Sequence, residues 1–293
     1  HYVKMVHNGI EYAMMQMISE IYDLLHRGTG MSNENLHAVF SKWNEGQLQS
    51  FLIEITADVF KTLDADTEAP NDFLVDKILD QAGSKGTGKW TSQEAMDLPV
   101  PIPTIDAAVS ARNLSVYKEQ RVQAAQLHLP EHPLQPLSEE LLVELENALA
   151  FCFTMAYVQG LSMLAKASEV WQMNIPMPSV IQVWKAGCII RSALLGNFTE
   201  AFQRNALQPN LLLDREIAEL VRNREGSIRQ IVARATEARI PIAGMASALA
   251  YYDAYVSDRL PTNLIQAQRD YFGAHTYQRI DKPGVFHTEW TRE

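Results

Sequence analysis

The chain has 293 residues, 47% of them apolar, enough for a substantial core in one large domain or two small ones. Its net charge of −10 excludes the basic footprint of a non-specific nucleic-acid binder, although a few local cations would still suffice for a small anionic substrate. Cys152 and Cys188 stand outside any CxxC pattern, so neither a disulfide framework nor structural zinc is expected, and a reducing compartment is.

The first segment reads as a helix running to about Leu25, with Val6, Ile10, Ala13, Met14, Met17, Ile18 and Ile21 around most of its faces. Lys4, His7, Asn8, Glu11 and Tyr12 recur at i, i+3, i+4, i+7 and i+8, one stripe of that helix. The stripe is either the solvated side or the floor of a cleft. Five different functional groups that fade after Tyr12 suit the cleft better. No signal peptide is visible, and a start at His1 suggests a processed or trimmed chain with residues upstream.

Gly28-Thr29-Gly30 breaks the pattern and Ser32 can cap a second helix to Trp43, ended by Gly46. Leu48, Phe51, Leu52, Ile55 and Val59 give a third apolar stripe, and Asp64 to Asn71 reads as a surface loop. A short amphipathic helix is expected over residues 73–81, before the Gly-rich loop 83–90. After Pro99, Pro101 and Pro103, a helix capped by Thr104 is expected from Ile105 to about Gln126. Its core stripe comprises Ile105, Ala108, Val109 and Val116. Arg112 falls on the same stripe, where a cation is costly unless an anion meets it.

Pro130, Pro133 and Pro136 mark a boundary, and Ser138 caps the next long helix. Residues 148–167 are apolar enough to raise a transmembrane question, but Gln159 and Lys166 favour a buried core helix and no membrane contact. Ala13-x-x-Gln16-x-Ile18-Ser19 recurs as Ala156-x-x-Gln159-x-Leu161-Ser162, and Trp43-x-x-Gly46 recurs as Trp184-x-x-Gly187. This reads as a duplicated helical unit, with residues 1–135 as the first copy, 136–272 as the second and 273–293 as a tail. The polar stripe has no counterpart in the second copy. No run alternates as a strand, so the expected class is all-α.

The loop at Gly83–Lys89 fits GxxxxGK, yet Trp90 stands where a P-loop needs Ser or Thr, and a helix precedes it. What remains is an anion cradle of backbone amides with Lys85 and Lys89, or a surface turn. His128 and His132 enclose Pro130 and make a poor metal pair, and no nucleophile motif appears. Arg191 lies on an apolar stripe with Trp184, Cys188 and Leu195, where a structural ion pair is expected. Residues 266–277, with Arg269 and His275, form an anion site or an ordinary helix terminus.

KMVHNGIEY (4–12), GSKGTGKW (83–90), SARNLS (110–115), GCIIRS (187–192) and QRDYFGAHTY (268–277) closely resemble decarboxylating 6-phosphogluconate dehydrogenase over nearly the whole chain. The resemblance implies oxidation of 6-phosphogluconate with NADP to ribulose 5-phosphate and carbon dioxide, in the cytoplasm, by a metal-free homodimer whose tail reaches the partner's active site. It implies Lys4 as the base at the C3 hydroxyl and Glu11 as the acid that protonates C1. A buried, water-poor helix face would tune both groups in the needed direction. His7 and Asn8 would hold the sugar. Tyr12, Lys85 and Arg112 would hold the phosphate end, with Arg269 and His275 from the other subunit, and Ser84 and Thr87 would also bind substrate. The family's NADP-binding Rossmann domain has no counterpart here, so these residues alone are not expected to reduce NADP. A non-catalytic helical dimer that binds a phosphosugar is the alternative.

Overall fold

The first helix, α1 (Tyr2–Asp23), is apolar on most sides, and neighbouring helices cover it on several faces. Val6, Ile10, Met14, Met17 and Ile21, at spacings of three or four, are all fully buried. Each such side chain contributes about 1.5–3 kcal/mol of burial free energy. α1 then widens into one π-helical turn, Leu24–Gly28. The computed structural model describes residues 1–66, 72–128 and 138–290, and among these there are twelve α-helices and no strand, only isolated bridges.

The main partner of α1 is α7 (Glu139–Val170), whose first turn is capped where Ser138 Oγ accepts from the Leu141 amide at 3.1 Å. The two helices meet at Gly160. A Cβ there would stand 2.5 Å from the Ile10 side chain, so no larger residue fits without displacement. α4 (Thr87–Asp97) and α5 (Pro103–Ser115) cover further faces of α1. Gln159 of α7, fully buried, accepts from the Thr104 amide at 2.9 Å and so holds the start of α5. α2 (Asn33–Trp43) and α3 (Phe51–Lys61) pair with each other, while α6 (Lys118–Leu127) buries no residue. α8 (Met177–Lys185) packs on α9 (Leu195–Arg204), and α10 (Arg215–Glu237) lies along α7. α11 (Ala243–Tyr255) and α12 (Thr262–Gly273) complete the set.

The all-α expectation holds, as do the caps at Ser32 and Ser138. α7 is long and apolar enough to span a membrane, but 89% of its most apolar window is buried inside the structure. Several local expectations are corrected. Ile55 and Val59 are exposed, because α3, which packs mainly on α2, buries the face of Leu52, Ile53, Ala57 and Phe60. Residues 73–81 form only a 3-10 turn at Leu74–Lys77. The helix expected from Ile105 to Gln126 is two helices broken after Ser115, starting at Pro103 with Thr104 inside it, and Val116 is exposed. Arg191 lies beyond the end of α8 and pairs with Glu54 at 2.5 Å, the structural role expected. The prolines at 130, 133 and 136, His132 and the 135/136 boundary lie outside the described residues.

The chain divides into two compact units, His1–Tyr251 and Tyr252–Glu293. In the first, buried Glu20 of α1 accepts from the amides of Gly244 and Met245 at 2.7 and 2.8 Å, capping the start of α11. Burial raises the Glu20 carboxyl, and hydrogen bonds from Gln16 and the two amides pull it back down. In the second unit the tail folds on Asp270, which is fully buried. Asp270 accepts from the Thr276 and Thr288 amides at 2.9 and 3.1 Å, and from the Trp290 indole and His287 Nδ1 at 2.9 Å each. Burial by itself would raise this carboxyl, but the four hydrogen bonds outweigh it and hold it at about 2.

Glu20→Gln should cost about 1–3 kcal/mol by leaving a buried amide without its acceptor, seen as a lower denaturant midpoint at unchanged slope. Asp270 is held below its unfolded-state range near 4. Its contribution to stability is therefore complete above about pH 4 and is lost as pH falls through about 2. The indole N–H signal of Trp290, followed by NMR during acid titration, reads that loss directly.

Candidate active site

The members of the polar stripe of α1 differ sharply in environment. His7 and Tyr12 are buried, Asn8 and Glu11 are half-buried, and Lys4, in the first turn, is exposed. The expectation of a buried, water-poor setting for both groups is corrected for Lys4, which is exposed. For Glu11 it stands. Burial raises the carboxyl, while His7, when protonated, and Arg112 pull it down by less.

Arg112, near the end of α5, lies over the Tyr12 ring with its guanidinium carbon 3.5 Å from the ring centre. It donates to the Gly83 carbonyl at 3.4 Å and reaches the Met15 sulfur at 3.6 Å. No carboxylate forms a salt bridge with it among the described residues. A guanidinium held by a π face, a carbonyl and a thioether is oriented but not neutralised, which suits it to an incoming anion.

The Gly-rich loop is fastened beside it. The Ala82 amide donates to Ser115 Oγ at 2.9 Å, and Thr91 of α4 donates to the Met5 carbonyl of α1 at the same distance. Gly88 admits the Tyr12 ring, since a Cβ at that position would come within 2.5 Å of it. Ser84 and Lys85 are exposed and Thr87 is half-buried, all at the entry to α4.

His7 donates from Nδ1 to Asn8 Oδ1 at 3.1 Å, while its Nε2 is buried with no hydrogen-bond partner. Trp184 meets the imidazole edge-on, with ring centres 6.0 Å apart. Sequence reading missed Trp184, Met15, Thr91 and the Gly83 carbonyl. Of these, only Gly83 left a signal, as part of a Gly-rich run.

The structure thus brings together His7, Asn8, Glu11, Tyr12 and Arg112, with the loop of Ser84, Lys85 and Thr87 leading into α4. Arg269 and His275 belong to the second unit. Both are exposed there, Arg269 donating to Gln266 at 3.2 Å and His275 packing edge-on against Phe272. No cluster of three or more His, Cys, Asp or Glu that could hold a metal occurs among the described residues.

Comparison with known proteins agrees over the whole chain. The family model for the C-terminal domain of 6-phosphogluconate dehydrogenase matches residues 1–290. The decarboxylating 6-phosphogluconate dehydrogenase of Lactococcus lactis subsp. lactis is 50% identical over 294 residues, covering 100% of this chain and 62% of the relative. The NADP(+)-dependent, decarboxylating enzyme of Bacillus subtilis is 49% identical over the same length, again covering 100% and 62%. A solved Plasmodium falciparum 6-phosphogluconate dehydrogenase, studied in apo form and with NADP+ or 6-phosphogluconate, superposes with a TM-score of 0.94 at 44% identity. That match covers 99% of this chain and 62% of the other, so the chain spans about 62% of the length of these relatives. The chain belongs to the 6-phosphogluconate dehydrogenase family, with the fold of its C-terminal domain.

Proposed function

We propose that this chain is the substrate-binding and proton-handling part of an NADP-dependent 6-phosphogluconate dehydrogenase. The observation that carries the reading is Arg112, an oriented cation without a carboxylate partner, set over Tyr12 beside the raised carboxyl of Glu11. An anionic end and a protonation centre on one small molecule fit that pair, and 6-phosphogluconate offers both.

In this reading Lys4 takes the proton from the C3 hydroxyl, while the hydride on C3 would pass to NADP held by the rest of the full-length protein. Once carbon dioxide has left, Glu11 returns a proton to C1 of the enediol. Its raised pKa keeps a larger fraction protonated near neutral pH, as an acid catalyst requires. The two α-carbons stand about 10 Å apart at 1.5 Å per residue, and the lysine stem spans the difference towards one small ligand. His7 and Asn8 hold the sugar hydroxyls and carboxylate. Tyr12, Ser84, Lys85, Thr87 and Arg112 face the phosphate end. Arg269 and His275 complete the phosphate site of the partner subunit in a homodimer.

NADP has no residue assigned here. The described residues contain no strand followed by a Gly-rich turn and helix, so they do not fit a dinucleotide cradle. Both thiols are unpaired, Cys152 buried and Cys188 half-buried, which suits a cytoplasmic setting.

Assay of the full-length gene product for 6-phosphogluconate-dependent NADP reduction with release of carbon dioxide tests the reading, and absence of turnover would falsify it. Lys4→Met should lower kcat by about 10²–10⁴-fold. Because Lys4 is exposed, thermal stability should hardly change, and near-normal turnover in that variant would remove Lys4 from the mechanism. Arg112→Gln should raise the KM for 6-phosphogluconate about 10–100-fold, the loss of a charge-assisted contact, while any weak use of unphosphorylated gluconate stays the same.

A further inference from the structure

Among the residues that carry no role so far, Trp184 makes the most defined contact with the site. It belongs to α8, in the second half of the first unit, and is only 2% exposed. Its ring meets the His7 imidazole edge-on, with the planes at 66°. His7 is fixed at one nitrogen by Asn8, while the other, Nε2, is out of contact with water and has no partner. A hydrogen bond through Nδ1 alone lets the ring swing about that bond. A second contact that fixes the ring plane removes this freedom, so Asn8 and Trp184 together set the direction of Nε2. A buried nitrogen without a partner is costly to maintain, and such groups are most often completed by a ligand or an ordered water.

We propose that Trp184 is a positioning residue for substrate binding. It holds the His7 ring so that Nε2, dry and unpartnered in the free protein, is presented to a hydroxyl of the sugar phosphate. With the proton on Nδ1, Nε2 carries the lone pair and accepts from that hydroxyl. The inference rests on 6-phosphogluconate being the substrate, and it extends the site to a helix that lies far from the polar stripe in sequence.

The test uses the full-length protein with Trp184→Phe and Trp184→Leu, measuring KM, kcat and the ¹⁵N signals of His7. Phe retains a ring and should keep KM within about threefold of wild type, with a single Nδ1–H tautomer. Leu removes the ring and should raise KM about tenfold or more with a smaller change in kcat, while the His7 signals average between tautomers. A Leu variant with wild-type KM and tautomer overturns the proposal, and so does a Phe variant that behaves like Leu. Should the Leu variant not fold, the wild-type spectrum decides. A single Nδ1–H tautomer whose Nε2 signal moves on adding 6-phosphogluconate supports the proposal, and a mixture of tautomers overturns it. Wild-type protein that does not turn over 6-phosphogluconate counts against the substrate assignment, and the tautomer comparison still judges Trp184 separately.

Discussion

The first unit depends on one close approach, the contact of α1 with α7 at Gly160, where Ile10 fills the space a side chain would need. Interiors are packed to crystal density, so this contact fixes the separation of the two longest elements near the site. Once α7 is seated, Gln159 holds the start of α5, and α5 delivers Arg112 to the face of Tyr12. The candidate site follows from packing more than from any polar interaction of its own. Its side chains sit on a helix that cannot shift without opening the core.

Within that frame the electrostatics are local. A chain of net charge −10 still presents a guanidinium held by three neutral groups. Two effects oppose each other at Glu11. Burial keeps a proton on Glu11 more readily, while Arg112 and His7 limit how far that goes. Lys4 stands outside this environment, exposed in the first turn of α1.

Much of this was legible in the sequence, because the signals were local and periodic. The apolar faces of α1 and α7, the caps at Ser32 and Ser138 and the polar stripe all follow from spacing within one helix. Errors arose where a neighbour or a boundary decided the outcome. Packing on α2 buries a face of α3 that leaves out Ile55 and Val59. The break after Ser115 turned one expected helix into two. Contacts between distant segments left no trace at all. Nothing in the local pattern around Trp184 or Met15 says that the one meets His7 and the other Arg112. The roles of the site residues came from long motifs that resemble a family, and not from periodicity.

The character of α7 bears on how the chain reaches this state. Its apolar window would look, to the machinery that sorts nascent chains, like a segment meant for a lipid bilayer. α1 is synthesised first and can cover one face of α7 as it emerges from the ribosome, whereas α10 arrives only after α8 and α9. During that interval half of a sticky helix stands open, and the half-built unit is at its most prone to aggregate or to engage a chaperone. The first unit can therefore close around α7 only once α10 has been made and has packed along it.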